Sequence, residues 1–365
     1  MMPSGTLFRY IALKTVFAVA ALMLALAALA ALADLVESLR FIDKFGGDFG
    51  SAVVITLLRT PSIVQVMLPF IFLFAAIWLF SELNRRAEVA VMRSAGLSVW
   101  RLLWPAGLVA IMAGFLVIFV TDPLATRLLA QSESVKDHLS GQASSAMRVF
   151  GDGIWLRQTE SQSILIINAR SFDRAHSAFS RIVIWRLGAD STLLERIDAP
   201  EALLSGHTIE LHDARVRSMT GEAAERQTPV YAIDTALIPA DLDERAKPPE
   251  TVPLWRIPHY MALAKAAGLS TRRYAIRFHD LCSTPLKLLA MVLIAAMFSL
   301  RPVRQGGALK LFLFAVGAGF ALYVLSQVAA ALGESGVAPV ALAAWAPAVA
   351  VSLAAITGLL HLEEG

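Results

Sequence analysis

The stretch SELNRRAEVAVMRSAGLSVWR (Ser81–Arg101) is basic, although it lies between two strongly apolar stretches of the sequence. Residues Leu83–Ala95 are mostly good helix formers, Gly96 is of a type that ends helices, and Ser98 can cap the next helix. The stretch therefore predicts a separate short helix that lies between two membrane spans and outside the bilayer. A positively charged loop that packs on lipid headgroups is the alternative interpretation.

Composition places the chain among membrane proteins. Its 365 residues are 57% hydrophobic, and its mean hydropathy is +0.63, which is more apolar than a typical soluble protein. A hydrocarbon core of about 30 Å requires roughly 20 mainly apolar residues per helix. Six stretches meet this requirement or nearly do: Ile11–Ala33, Ile63–Phe80, Leu102–Val120, Leu281–Leu300, Leu311–Leu332 and Val337–Leu360.

The short loops between these spans differ in basic residues, which predicts an orientation. Ser81–Arg101 holds four arginines and Arg301–Lys310 is basic without any acid, whereas Gly333–Pro339 carries no basic residue. Because Lys and Arg are enriched in cytoplasmic loops, we expect both termini in the cytoplasm and Asp122–Ala275 outside it. The mixed-charge segment Asp34–Thr60 is predicted to form the loop between the first two spans.

The long segment between the third and fourth spans predicts β structure. Short runs rich in β-branched and aromatic residues, several alternating apolar with polar, are separated by turn residues, which indicates a sandwich or barrel. The runs are Gly153–Gln158, Ile164–Phe172, Arg181–Leu187, His207–Arg217 and Pro229–Thr235. After them, IPHYMALAKAAG (Ile257–Gly268) predicts a short amphipathic helix that ends at its glycine.

These features divide the chain into three predicted parts. Residues 1–121 hold the first three spans with the cytoplasmic helix at 82–96. Residues 122–257 form the β domain, and residues 258–365 hold the short amphipathic helix and the last three spans. The predicted fold class is an α-helical membrane protein with six transmembrane helices and an inserted all-β domain outside the cytoplasm.

The sequence lacks the common motifs of enzymes and nucleotide sites. It has no GxxxxGK[ST] phosphate loop, no GxSxG elbow and no HExxH metal helix. None of the seven histidines forms a close i, i+4 pair with another histidine or with Cys282, the single cysteine. We therefore predict no bound metal or other cofactor and no enzymatic activity. The net charge of +3 gives no indication of a nucleic-acid partner.

Three classes of function fit this architecture. A transporter subunit without a nucleotide site would need energy from another subunit, and the short cytoplasmic helix could deliver it. A membrane sensor would use the β domain as a ligand receptor, but its cytoplasmic loops are short for signal output. An intramembrane enzyme that modifies a lipid would need a nucleophile and a base, and the sequence contains no recognisable pair.

The stretch LNRRAEVAVMRSAGLSVWRL (Leu83–Leu102) resembles the coupling-helix signature of the LptF/LptG permease family, the membrane subunits of the lipopolysaccharide exporter. Family members typically have Leu-x-x-Arg-x-Glu, two to three apolar residues, then Met/Leu-Arg-x-Ala/Ser-Gly. LFRYIALKTVF (Leu7–Phe17), YAIRFHDLCSTPL (Tyr274–Leu286) and FALYVLSQV (Phe320–Val328) resemble the family's opening, the start of its fourth span and its fifth span. DLVESLR (Asp34–Arg40) favours the LptG branch over the LptF branch.

The resemblance implies a permease subunit of an ABC-type transporter in the bacterial inner membrane, with a jellyroll-like β domain in the periplasm. It would extract lipopolysaccharide from the outer leaflet and pass it to a periplasmic bridge. The implied partners are an LptB-like ATPase dimer, which binds the ATP and magnesium, an LptF-like second permease subunit, and LptC- and LptA-like bridge proteins. The implied coupling-helix residues are Arg85, Arg86, Glu88, Met92, Arg93 and Gly96.

Four residues are candidates for contact with lipopolysaccharide. Arg40 matches a basic position that contacts lipid phosphates in the family, Lys44 lies nearby, and Gln327 lies in the stretch that resembles the fifth span. Lys287 is a cation inside the fourth span, and such cations usually face a cavity or a partner. Alternatively, its long stem reaches the headgroups at the nearer membrane surface.

Overall fold

The computed structural model of the chain describes residues 5–140, 147–150, 153–159, 163–173, 176–188, 192–219, 225–235, 248–266, 269–300 and 308–364. The helices are α1 (Gly5–Phe45), α2 (Phe49–Arg85), α3 (Glu88–Ser94), α4 (Val99–Leu116), α5 (Asp122–Ser140), α6 (Ile257–Ala266), α7 (Arg272–Ser299), α8 (Ala308–Ser335) and α9 (Val340–Glu364). A π-helical turn, Val117–Thr121, joins α4 to α5, and two 3-10 turns, Pro249–Thr251 and Leu254–Arg256, precede α6.

Six helical segments of the described chain are long and apolar enough to cross a membrane, which confirms the six predicted spans. They are α1, α2, the continuous run from α4 through α5, α7, α8 and α9, named spans 1 to 6 below. Each helix extends beyond the apolar stretch from which it was predicted at one end or at both, because polar residues continue the helix there. At the other end, α9 begins at Val340, inside its predicted stretch, and α7 stops at Ser299.

The loop predicted over Asp34–Thr60 is wrong, because α1 and α2 leave only Gly46–Asp48 between them. Two pairs of its polar residues meet across the two helices. Asp34 and Arg59 form an ion pair at 2.8 Å, and the Thr56 hydroxyl donates to the Ser38 hydroxyl at 3.1 Å. These contacts give the polar groups partners inside the helical part, so their burial does not require a loop that exposes them to water.

A three-residue turn reverses the chain between α1 and α2. Gly46 and Gly47 have φ angles of +84° and +150°, which favour glycine. Asp48 caps α2 by accepting hydrogen bonds from the Ser51 backbone N–H at 3.1 Å and from its hydroxyl at 2.5 Å. These bonds stabilise the charged carboxylate and lower the pKa of Asp48.

Spans 2, 3 and 4 form the centre of the helical part. Half of the most apolar window of span 2 and 56% of that of span 4 are buried against the rest of the chain. The corresponding share is 6% for span 1 and 17% for span 5. Phe72 and Phe80 of span 2 and Met291 of span 4 are among the fully buried side chains at this centre. The first and fifth spans therefore expose most of their apolar surface.

The insert contains a seven-stranded antiparallel sheet, which confirms the predicted β domain. The strands are β1 (Met147–Phe150), β2 (Gly153–Thr159), β3 (Ser163–Asp173), β4 (Ala178–Gly188), β5 (Leu193–Ser205), β6 (Thr208–Ser218) and β7 (Glu225–Asp234). Each described strand pairs with its neighbour in sequence, so the pairings form a meander. One face forms a core around Ile167, Ile184 and Ile197, against which Leu263 and Ala264 of α6 pack.

Strands β1 and β5 were not predicted, and β5 shows why. It contains Pro200, a residue that central strands rarely accept because it lacks a backbone N–H. The recorded pairs on both sides skip Pro200, and they also skip Arg181 of β4 and Asp213 of β6. Both of these neighbours have positive φ angles, +47° and +52°. An irregular row across the sheet therefore accommodates the proline.

The chain divides into two compact units. One holds the residues up to Ser132 and from Ala275 onward, and the other is Glu133–Tyr274. The sequence placed the start of the β domain at Asp122, but the helix of span 3 continues through α5 to Ser140 before the first described strand.

Candidate coupling site

The short charged helix exists, but it begins later than the sequence predicted. The single helix expected over Leu83–Ala95 is divided: α2 continues to Arg85, and α3 begins at Glu88. Ala87 lies between them with a φ of +57°, in the left-handed region that L residues rarely adopt. The prediction of one continuous helix is therefore wrong. The break could not be predicted, because alanine favours helix and does not indicate a turn.

The C-terminal end of α3 confirms the predicted capping residues. Gly96 has a φ of +80° and donates its N–H to the Arg93 carbonyl at 3.0 Å. Leu97 donates to the Met92 carbonyl at 3.1 Å, which completes a Schellman motif. The Ser98 side chain then accepts from the backbone N–H of Arg101 at 3.4 Å and caps α4.

Glu88, at the start of α3, contacts span 1. The Tyr10 hydroxyl donates to its two carboxylate oxygens at 3.2 Å and 3.1 Å, and the Lys14 ammonium lies 3.8 Å from Oε1. The same ammonium lies 4.5 Å from the centre of the Tyr10 ring and is inaccessible to solvent. Glu88 therefore supplies the negative charge beside the Lys14 ammonium and attaches α3 to the first span.

The two sides of α3 have different surroundings. Val89 is buried, and Met92 packs on the helical core and lines a narrow crevice together with Leu7 of span 1 and Val99 of span 3. Val91, by contrast, is 66% exposed, and its neighbour Arg93 is exposed as well. The helix thus packs Val89 and Met92 on its own chain and leaves Val91 and Arg93 exposed at separate positions around its axis.

The structure does not bring all predicted coupling residues together. Arg85 and Arg86 belong to the end of span 2, where Arg86 forms an ion pair with Glu82. Arg85 lines a cavity of about 530 Å³ with residues that include Trp78 and Phe312. Glu88, Met92, Arg93 and Gly96 lie on α3 or at its end. Two arginines of the second basic loop, at positions 301 and 304, lie outside the described residues.

Three of the candidates for lipid contact are exposed. Arg40 and Lys44 lie one helical turn apart near the end of α1, and the Lys44 ammonium is 5.2 Å from the centre of the Phe45 ring. Gln327 is exposed on α8. Lys287 differs, because it is 13% exposed and forms an ion pair with Asp280 of the same helix. Its charge therefore has a partner within the chain.

The contacts of Glu88 with Tyr10 and Lys14 were not predicted. From the sequence, Lys14 was considered only as a basic residue near the N-terminus, and Tyr10 only as part of the stretch Leu7–Phe17 that resembles the opening of the family. Their spacing of four residues places them on one face of α1, which is a signal that the sequence does carry. Which segment they face depends on the tertiary packing.

Comparison with known proteins gives two matches over most of the chain. The family model described as lipopolysaccharide export system permease LptF/LptG matches residues 9–361. The lipopolysaccharide export system permease protein LptG of Haemophilus influenzae is 22% identical over 341 residues, which cover 91% of each chain. The family match extends from span 1 to span 6 and so includes α3 and the β domain.

Proposed function

The chain belongs to the LptF/LptG permease family of the lipopolysaccharide export system, and we propose that α3 couples it to a separate ATPase that drives export. As a family member it is a multi-pass permease subunit of the inner membrane and not itself an enzyme. The relative from Haemophilus influenzae agrees with the LptG-like character of the first span. Neither the sensor nor the intramembrane enzyme is favoured.

The geometry of α3 is the observation that carries the ATPase proposal. It is a short helix that is capped at its C-terminal end and contacts span 1 through Glu88. Val91 and Arg93 are exposed on it. The absence of a phosphate loop from the sequence supports the proposal that ATP is hydrolysed on another chain. The proposed partner is an LptB-like ATPase dimer, which binds the ATP and magnesium and receives α3 in a groove.

The exposed faces of spans 1 and 5 support a second permease subunit. Leu24 on span 1 is 74% exposed, and Phe320 on span 5 is exposed as well. We propose that an LptF-like chain pairs across these faces and that the lipid enters between the two subunits. Each acyl CH₂ removed from the membrane costs about 0.8 kcal/mol, so extraction needs the coupled work. LptC- and LptA-like proteins would then receive the lipid in the periplasm.

We expect opposite labelling of the two exposed regions by a membrane-impermeant thiol reagent in whole cells. In a Cys282→Ala background, His207→Cys, in the exposed turn between β5 and β6, should react because that turn is proposed to lie in the periplasm. Ser94→Cys, exposed on α3, should react only after the cells are broken. Labelling of Ser94→Cys, without labelling of His207→Cys, in intact cells would reverse the proposed orientation.

A photo-crosslinking amino acid at Arg40 is expected to capture lipopolysaccharide, because a cation at that position can bind lipid phosphates through charge-assisted hydrogen bonds. The same amino acid at Lys44, one turn further along α1, tests whether the contact extends along the helix. Leu353, 59% exposed on span 6, is the matched control. Capture at Leu353 as strong as at Arg40 would show that the contact is non-specific.

A further inference from the structure

The outer ends of spans 2, 3 and 4 meet at one buried carboxylate. Asp122, where α5 begins, is fully buried. It accepts a hydrogen bond from the Arg277 guanidinium of span 4 at 2.8 Å and another from the Gln65 amide of span 2 at 3.3 Å. The Ser62 hydroxyl adds a further link from span 2 by donating to the Ala125 carbonyl at 3.2 Å. These contacts are called the outer junction below.

The outer junction lies where the chain leaves and re-enters the membrane part. The unit that holds the β domain begins at Glu133, eleven residues after Asp122, and ends at Tyr274, three residues before Arg277. The ion pair therefore joins the two chain segments from which the whole insert extends. The contact fixes the spacing of these two segments, which lie on either side of the insert in sequence.

Two local features of spans 3 and 4 support this contact. The π-helical turn Val117–Thr121 comes directly before Asp122, and such turns change the direction in which the following side chains point. Further down, Gly114 of span 3 lies against the backbone of Pro285 of span 4, where no side chain would fit. Spans 3 and 4 thus touch both at their outer ends and about two turns deeper.

A purely stabilising role would not require these groups. Burying two charges costs desolvation energy, so a buried ion pair is a weak source of stability compared with apolar packing. Such a pair instead restricts the relative positions of the helices that carry it. Every position that leaves the buried cation unpaired is costly in free energy. Asp122 therefore favours one relative position of spans 2, 3 and 4.

We propose that Asp122 is a positioning residue for export. It holds the outer ends of spans 2, 3 and 4 in the one relative arrangement that export requires. The proposal uses the export function of the family and does not depend on the docking of an ATPase on α3.

The test combines a distance measurement with export per folded chain. Spin labels at Arg127 on α5 and His279 on α7, in a Cys282→Ala background, report the spacing of the two segments in the purified full-length chain. Asp122→Asn should broaden the distance distribution and lower export by about tenfold or more at equal membrane level, since misplacement of a working part costs up to about a hundredfold. Glu133→Gln, which alters an exposed ion pair on the same helix, should change neither.

Two further variants keep the test decisive if Asp122→Asn folds poorly. Asp122→Asn with Arg277→Gln removes both charges and leaves no buried cation, so the chain should reach the membrane, yet its distribution should stay broad and its export low. Asp122→Lys with Arg277→Asp restores an ion pair and should narrow the distribution and recover export. Wild-type export per folded chain in the neutral pair, or no recovery in the exchanged pair, would overturn the proposal. Association with the ATPase should be unchanged throughout.

Discussion

Glu88→Arg is expected to remove ATPase association and lipopolysaccharide export while the chain still reaches the inner membrane. The carboxylate starts the helix that we propose to enter the ATPase groove, and we propose that it forms a charge pair with a cation of that groove. Reversal would place two cations together there. Breaking a desolvated interfacial charge pair commonly costs about 2–5 kcal/mol, or roughly 30- to 4000-fold in affinity. Copurification of the ATPase from mild detergent, with the membrane level of the variant measured beside it, checks the result.

The contacts of Glu88 within the chain require a control for this variant. Its carboxylate accepts from the Tyr10 hydroxyl and faces the solvent-inaccessible Lys14 ammonium. Reversal at position 88 therefore also sets two cations side by side. Combining Glu88→Arg with Lys14→Glu restores the internal pair with its charges exchanged. We expect this double variant to recover the thermal stability of the chain but not the ATPase association.

The double variant separates two roles of Glu88. If it regains both the ATPase and export, Glu88 acts only by joining α3 to span 1, and the docking proposal is wrong for this residue. If Glu88→Arg alone keeps full ATPase association, α3 is not the docking helix, and Ser81–Arg101 returns to the interpretation of a charged loop. Glu88→Gln, which keeps the Tyr10 hydrogen bond, should give an intermediate loss.

The sequence was sufficient for the spans because their signal is one of composition. Six apolar stretches of sufficient length determine six helices wherever the tertiary contacts fall. Gly96 and Ser98 were predictable for a similar reason, since each acts on its own neighbouring backbone. The turn at Ala87 was not predictable, because alanine favours helix and its positive φ is imposed by the surrounding fold.

Strand β5 and the charged contacts escaped prediction for two different physical reasons. The sequence of β5 is misleading, because Pro200 and several acidic residues are unfavourable in a central strand. The sheet accommodates Pro200 through irregular pairing with the two neighbouring strands. For Glu88 and Asp122 the residue types were visible, but their partners lie 78 and 155 residues away along the chain. Which charges meet is decided by helix packing, and a single sequence does not show it.

Substitutions at Gly114 are expected to remove folded chain from the membrane more strongly than those at other glycines of the spans. A Cβ atom at position 114 would lie 2.4 Å from the Cα and 2.7 Å from the nitrogen of Pro285. Both are backbone atoms, so no side-chain rotation relieves the overlap, and spans 3 and 4 would have to separate. Overpacking of a tight interface commonly costs about 1–3 kcal/mol, occasionally more, and close backbone approach of membrane helices relies on such small residues.

Two glycines of span 5 provide a graded comparison. A Cβ at Gly319 would meet the end of the Leu73 side chain at 2.3 Å, which can move, and a Cβ at Gly317 would meet nothing within 4 Å. We expect Gly317→Ala to match the unaltered chain, Gly319→Ala to lower the unfolding temperature slightly, and Gly114→Ala to lower it most. Gly114→Leu should leave little folded chain in the membrane. Equal unfolding temperatures for Gly114→Ala and Gly317→Ala would show that spans 3 and 4 do not approach as closely as Gly114 and Pro285 require, and the outer junction above them would lose its support.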